Sequence, residues 1–252
     1  MTPLNFILDF LLGACVGFLG GVFGIGGGLL AIPLLVLFFG FDQQMAQGTA
    51  LIMVVPNVIF SLRSYHKRDK INLSYALSLS TPSFFLAFIG AYIALTLKSE
   101  SLQKIFAIFL FCLAVYSIIN LLFRKKGSLG AKETTYSLIW FVILGGCCGF
   151  LGGFFVVGGG VLATPFLTLV FGLSQLIAQS LALCLALPSL LASLFMYVLH
   201  GQVNWTIGIP LALGGLTTVG WGVKLAYALP QKVLKFLFSC FLIICGVLLL
   251  IK

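Results

Sequence analysis

The stretch from Gly13 to Asn72 occurs a second time from Gly145 to Asn204, in register and without a gap, at a constant offset of 132 residues (145 minus 13). GFLGGVFGIGGGLLAIPLL beginning at Gly17 matches GFLGGFFVVGGGVLATPFL beginning at Gly149, and about 28 of the 62 positions from Gly13 to Ser74 are identical. Shared hydrophobicity alone would repeat Leu and Val. Here Gly20, Gly21, Gly26, Gly27, Gly28, Pro33, Gly40, Gln47 and Pro56 recur, and glycine and proline are the residues that dictate backbone shape. The chain therefore has to fold as two like halves.

What those halves can be follows from composition. With 61% hydrophobic residues, 8% charged residues and a mean hydropathy of +1.22, there is too little polar surface to enclose a water-soluble globule. The apolar runs are long enough to cross about 30 Å of hydrocarbon as helices, and they lack the two-residue alternation of a membrane barrel. The class expected is all-α: a polytopic helical membrane protein. The first run, Leu4 to Phe23, has no Lys or Arg before it and continues into further apolar sequence, so it reads as a retained helix and not a signal peptide.

Gly, Pro and charge punctuation divides each half into five segments. The first half gives Leu4 to Phe23, Gly27 to Phe39, Met45 to Tyr65, Leu73 to Leu97 and Leu102 to Phe123. The second gives Tyr136 to Phe155, Gly159 to Phe171, Leu176 to Leu199, Trp205 to Leu229 and Lys232 to Ile251. The repeats thus occupy 1–123 and 136–252, joined by a linker at 124–135 within one integrated membrane domain. Gly27 to Phe39 would be only about 20 Å long at 1.5 Å per residue, so it is either a thinned span or the return arm of a re-entrant hairpin.

Charge orients the segments. Arg63, Lys67, Arg68 and Lys70 crowd the loop after the third segment, Arg124, Lys125, Lys126 and Lys132 fill the linker, and Lys232 and Lys235 precede the last helix. The positive-inside rule assigns all three groups to the cytoplasm and both termini to the outside. The loop from His200 to Asn204, which corresponds to the basic loop of the first half, has no Lys or Arg. Equivalent loops then face opposite sides, as an odd number of segments per half requires, and the expectation is an inverted-topology repeat. The formal charge of +9 reflects topology and anionic lipid contact, with no nucleic-acid partner expected.

Inverted repeats with interrupted helices point to a transport site where broken helix ends leave backbone groups unpaired. The interruptions are Gly24 to Gly28 and Val156 to Gly160. Consecutive glycines favour a turn or a helix start, since each costs a helix about 1 kcal/mol relative to alanine. A helix beginning at Gly27 or Gly159 would present free N–H groups and its positive dipole end to an anion. The candidate site is Gly26, Gly27, Gly28, Gly158, Gly159 and Gly160, with Gln47, Thr49, Asn57, Gln179, Ser180 and Ser189 as polar side chains of the third segments. Gly13, Gly17, Gly20, Gly149 and Gly152 read instead as helix-packing positions. Pro33, Pro56, Pro165 and Pro188 are kinks or hinges. Tyr65, Tyr197, Asn72, Asn204 and Trp205 sit at segment ends and read as interfacial anchors.

Other chemistries find no constellation. Of the acids Asp9, Asp42, Asp69, Glu100 and Glu133, only Asp9 falls within a span, where it is the lone candidate proton carrier. Hydrolytic and metal enzymes need clustered nucleophiles, bases or ligands, so no catalytic residue, metal or cofactor is expected. The seven cysteines read as small buried side chains.

The repeated G-x-x-G-G-x-x-x-x-G-G-G stretch, Gln47-Gly48-Thr49, the segment from His200 to Trp205, Gly214-Gly215 and the region from Gly220 to Gly222 together resemble the sulfite exporter TauE/SafE family of membrane permeases over nearly the whole chain. The resemblance implies a permease of the bacterial inner membrane for sulfite, a short sulfonate or a related organosulfur or organic anion, and the inverted repeats lead to an expectation of alternating access by rocking one repeat against the other. The partners implied are a small anionic solute and the lipid bilayer, and homo-oligomerisation stays open. A channel-like uniporter and a non-transport scaffold subunit are the rival readings. The second glycine motif reads VVGGG against GIGGG in the first, and Gly48-Thr49 becomes Ser180-Leu181, so the half-sites are chemically unequal.

Overall fold

A computed structural model describes residues 3–23, 26–66, 73–123, 138–171, 173, 175–228 and 231–251. Much of the basic loop after the third segment and all of the 124–135 linker lie outside them. The described residues form ten helices: α1 Pro3–Phe23, α2 Gly28–Phe39, α3 Gln43–His66, α4 Leu73–Thr96, α5 Ser99–Phe123, α6 Leu138–Phe155, α7 Gly160–Leu169, α8 Gln175–Leu199, α9 Trp205–Ala228 and α10 Gln231–Ile251. Five fall in each half, as expected from the punctuation. Seven are long and apolar enough to cross a membrane. At 12 and 10 residues, α2 and α7 reach only about 18 and 15 Å, short of a hydrocarbon core.

The glycines at every fourth position show why these helices pack as they do. On α1, Gly13, Gly17 and Gly21 lie on one face and lean on the backbone of Leu211, Gly215 and Val219 of α9. On α6, Gly145, Gly149 and Gly153 do the same against Leu79, Ser83 and Ala87 of α4. A side chain at these positions would collide with main chain, so only glycine permits the approach. Partner numbers rise together along each pair, so α1 runs parallel to α9 and α6 parallel to α4. The α9 partners are also the α4 partners shifted by 132 (211 minus 79, 215 minus 83, 219 minus 87). Each half thus lends its fourth segment to the first segment of the other.

Buried aliphatics from both halves form the main core, including Leu29, Ile32 and Leu35 of α2, Leu51 and Met53 of α3, and Phe106 and Leu110 of α5. Phe109 and Phe155 stack within it at 4.0 Å between ring centroids. A second cluster centres on Leu79, Phe141, Leu167, Leu181 and Leu185. The outer surface is the reverse of a soluble protein's: Phe38 and Trp221 are each 71% exposed, Phe85 is 63% exposed and Trp140 is 58% exposed. Such a girdle is stable where the surroundings are lipid tails.

Two expectations need correction. Only Cys148 and Cys245 of the seven cysteines are buried, whereas Cys15, Cys112 and Cys147 are exposed. A thiol behaves as a small hydrophobe, so a lipid-facing place costs it little. Tyr197 is not an interfacial anchor, being fully buried. Its ring turns inward over the start of α3 because the chain reverses directly after α8. Asn204 also has a different job, accepting a hydrogen bond from the Ile207 N–H at 3.2 Å as the cap of α9. Trp205 is 49% exposed, in keeping with an anchor. Asn72 and the Tyr65 side chain lie outside the described residues.

Candidate substrate site

The glycine triplets form turns because their backbone must be left-handed. Gly26 and Gly27 have φ of 69° and 92°, and Gly158 and Gly159 have φ of 75° and 63°. Residues with a Cβ avoid that region at a cost of about 1–2 kcal/mol each. The helices themselves start one residue later than the sequence suggests, at Gly28 and Gly160, with Gly27 and Gly159 as caps that receive no side-chain hydrogen bond. The Gly27 carbonyl takes the N–H groups of Leu30 and Ala31 at 3.0 and 2.9 Å, and the Gly159 carbonyl takes those of Leu162 and Ala163 at 3.2 and 2.9 Å. The Gly160 N–H is taken as well, by the Gly158 carbonyl at 2.6 Å, so what each helix start offers is chiefly the positive end of its dipole.

The two turns meet. A Cβ on Gly28 would stand 3.2 Å from the Val156 carbonyl oxygen and 3.2 Å from Val54 Cγ2, so the first turn abuts both the second turn and α3. Val156 is itself left-handed with φ of 61°, a strained geometry for a β-branched residue. Asn57 reaches the first turn and donates from Nδ2 to the Gly26 carbonyl at 3.4 Å. Its repeat counterpart Ser189 donates to the Ala186 carbonyl at 2.9 Å and accepts from the Ser193 hydroxyl at 2.8 Å. Ala186 packs in turn against Gly158. Asn57 and Ser189 are both fully buried.

Eight of the twelve expected site residues therefore converge: the six glycines, Asn57 and Ser189. Gln47 and Thr49 instead bond to residues at the end of α8 and the start of α9. Gln47 precedes Asn57 by ten residues on α3, about 15 Å along the axis, and Thr49 lies close to it. Tyr197 donates to Gln47 Oε1 at 2.6 Å, and the Asn204 N–H donates to Thr49 Oγ1 at 3.1 Å. These bonds place the start of α3 at the end of the bundle where α8 gives way to α9. Gln179 and Ser180 occupy the matching place at the start of α8 and have interactions of their own.

Sequence reasoning passed over Gln43 and Gln44 and gave Tyr197 only an anchor's role. The Gln43 N–H donates to Ser99 Oγ at 2.9 Å, and Gln44 Nε2 donates to the Leu97 carbonyl at 2.8 Å, so the start of α3 is also held to the α4–α5 junction. Gln43 was detectable, since it recurs as Gln175 in the second copy, as Tyr65 recurs as Tyr197.

A family model described as "Sulfite exporter TauE/SafE" matches residues 9–249. A probable membrane transporter protein of Haemophilus influenzae is 30% identical, covering 98% of this chain and 98% of the relative. One from Methanocaldococcus jannaschii is 27% identical over 100% of this chain and 96% of its own length. The probable membrane transporter YfcA of Escherichia coli is 28% identical over 93% of this chain and 86% of its own. No solved structure matches the chain. With the family's pattern running through almost all of its helices, this multi-pass membrane protein belongs to the sulfite exporter TauE/SafE family.

Proposed function

We propose that this chain is a secondary transporter of the bacterial inner membrane for a small anion, sulfite or a short sulfonate or a related organic anion, bound where the two glycine turns meet. The observation that carries the reading is the back-to-back placement of Gly28 and Val156. It sets the first glycine turn against the second, and the helix start that follows each turn is attractive to negative charge without any charged side chain. Asn57 and Ser189 supply the nearby polar side chains.

Alternating access follows from the exchanged packing. The start of α3 and the end of α8 share one end of the bundle, which supports reading these equivalent helices as opposite in sense and the repeats as inverted. Rocking one repeat against the other would expose the joined turns first to one side and then to the other. The basic clusters at Arg63 to Lys70 and Arg124 to Lys132 put the opposite end of the bundle in the cytoplasm. The α3 start, the α8–α9 turn and both termini then face outside.

The test is uptake of labelled sulfite by the purified chain in liposomes, with sulfoacetate, sulfate and acetate as competitors and with imposed proton and voltage gradients. Saturable uptake blocked by a subset of the anions is the expected result. Uptake no faster than in protein-free liposomes, from protein shown to be folded, would refute it, and flux at channel rates without saturation would refute the alternating mechanism.

A further inference from the structure

One face of α3 carries a row of hydrogen-bonding atoms that have no partner among the described residues. They are Nε2 and Oε1 of Gln43, Nε2 of Gln47 and Oδ1 of Asn57, on side chains that are each 0% exposed. At 3.6 residues per turn, Gln47 and Asn57 fall within about 40° of Gln43 on either side, and the row extends roughly 21 Å along the axis. Ala50 and Val54 fill the same face between them and are buried, and Val54 touches the turn at Gly26 and Gly28. The row thus leads from the outer end of the bundle to the joined turns. Gln179 and Ser189, the α8 counterparts of Gln47 and Asn57, both have partners.

Buried polar groups in native proteins are satisfied by something, and the row needs both kinds of partner. Gln43 Nε2 and Gln47 Nε2 are donors, whereas Gln43 Oε1 and Asn57 Oδ1 are acceptors. A fully ionised oxyanion without a hydroxyl can only accept. It would suit the donors but would set negative oxygens against the two amide oxygens. A metal cation would suit the oxygens and be opposed by the donors and by the positive helix starts. A monoanion that carries its own O–H satisfies both sets.

Building on the transport reading above, we infer that the α3 row is a selectivity track for monoanions bearing a hydrogen-bond donor, such as hydrogensulfite or a hydroxyalkanesulfonate, and that it discriminates against sulfate and donor-free sulfonates. Gln43 and Gln47 receive the solute near the outer end, and Asn57 takes its hydroxyl at the turns.

The experiment compares 2-hydroxyethanesulfonate with ethanesulfonate as inhibitors of sulfite uptake into liposomes containing the full chain. The two are alike in charge and shape and differ by one hydroxyl. Sites built to hydrogen-bond a hydroxyl discriminate strongly against analogues lacking it, so the hydroxylated anion should inhibit at a concentration at least about tenfold lower. Gln43→Met and Asn57→Leu should shrink that ratio toward one, and the wild-type ratio decides the matter even if a variant fails to fold. Equal inhibition by both sulfonates, with sulfite uptake intact, would overturn the track while leaving the transport reading standing. Absence of any anion uptake would overturn both.

Discussion

Replacing Tyr197 by Phe removes one oxygen from a fully buried position and leaves Gln47 with both amide atoms unpaired, because Gln47 Nε2 already has no partner among the described residues. Interhelical hydrogen bonds within membranes are worth about 0.6 to 1.7 kcal/mol, and orphaning a buried acceptor costs about 1 to 3 kcal/mol. The two ranges overlap at roughly 1 to 2 kcal/mol of destabilisation for Tyr197→Phe. Gln47→Met strands the tyrosine hydroxyl but also removes the unpaired amide nitrogen, so it should lie within about 1 kcal/mol of wild type. The double variant leaves no polar atom of the pair and should be at least as stable as wild type, above both single variants. Reversible unfolding in mixed micelles, titrated with a denaturing detergent, gives all four corners of the cycle. If the double variant shows only the sum of the single losses, Tyr197 and Gln47 do not act as a pair and the description of this end of α3 is wrong.

Gly17→Leu and Gly149→Leu drive a side chain into the backbone of α9 and α4 respectively, so little folded protein should survive purification. Gly201→Asn should by contrast cost less than about 1 kcal/mol in the same unfolding assay, since nothing lies within 4 Å of that position and Asn tolerates left-handed backbone. A Cβ on Gly28 would stand 3.2 Å from both Val156 O and Val54 Cγ2, so Gly28→Ala should insert and fold yet lower liposome uptake by about tenfold or more through misplacement of the helix start. In a cysteine-free background, cysteines at Asp42 and Gly201 should react with an impermeant maleimide from outside intact cells, while one at Lys126 should react only after the membrane is opened.

The helices were legible in the sequence because bilayer-spanning runs are long and their ends are marked by Gly, Pro and charge. α3 shows how little the boundaries moved: expected at Met45 to Tyr65, it runs Gln43–His66. The glycine triplets were legible for a related reason, since consecutive glycines in two copies signal a backbone demand, met at Gly26, Gly27, Gly158 and Gly159, although close packing also favours glycine at Gly28, Gly159 and Gly160. The polar row was not. Gln43 lies at a helix start among other polar residues, where local sequence gives no sign that its side chain is buried. Tyr197 looked like an anchor because position along a helix says nothing about which way a ring faces. Both depend on how the start of α3 is covered by the α8–α9 and α4–α5 junctions, contacts separated by up to 155 residues in sequence. Thr49 and Gln47 were rightly singled out as polar and buried, yet helix geometry puts them about 7.5 and 10.5 Å along the axis from Val54, the α3 residue that touches the turns.

Selenite resembles sulfite in shape and charge and scatters anomalously, so a crystal of the protein grown in selenite would show directly where an oxyanion binds. The account expects an anomalous peak within hydrogen-bonding distance of the first turn of α2 and of Asn57, between the turns at Gly26 to Gly28 and Gly158 to Gly160. A peak elsewhere in the molecule, or none at a selenite concentration that blocks sulfite uptake, would contradict it.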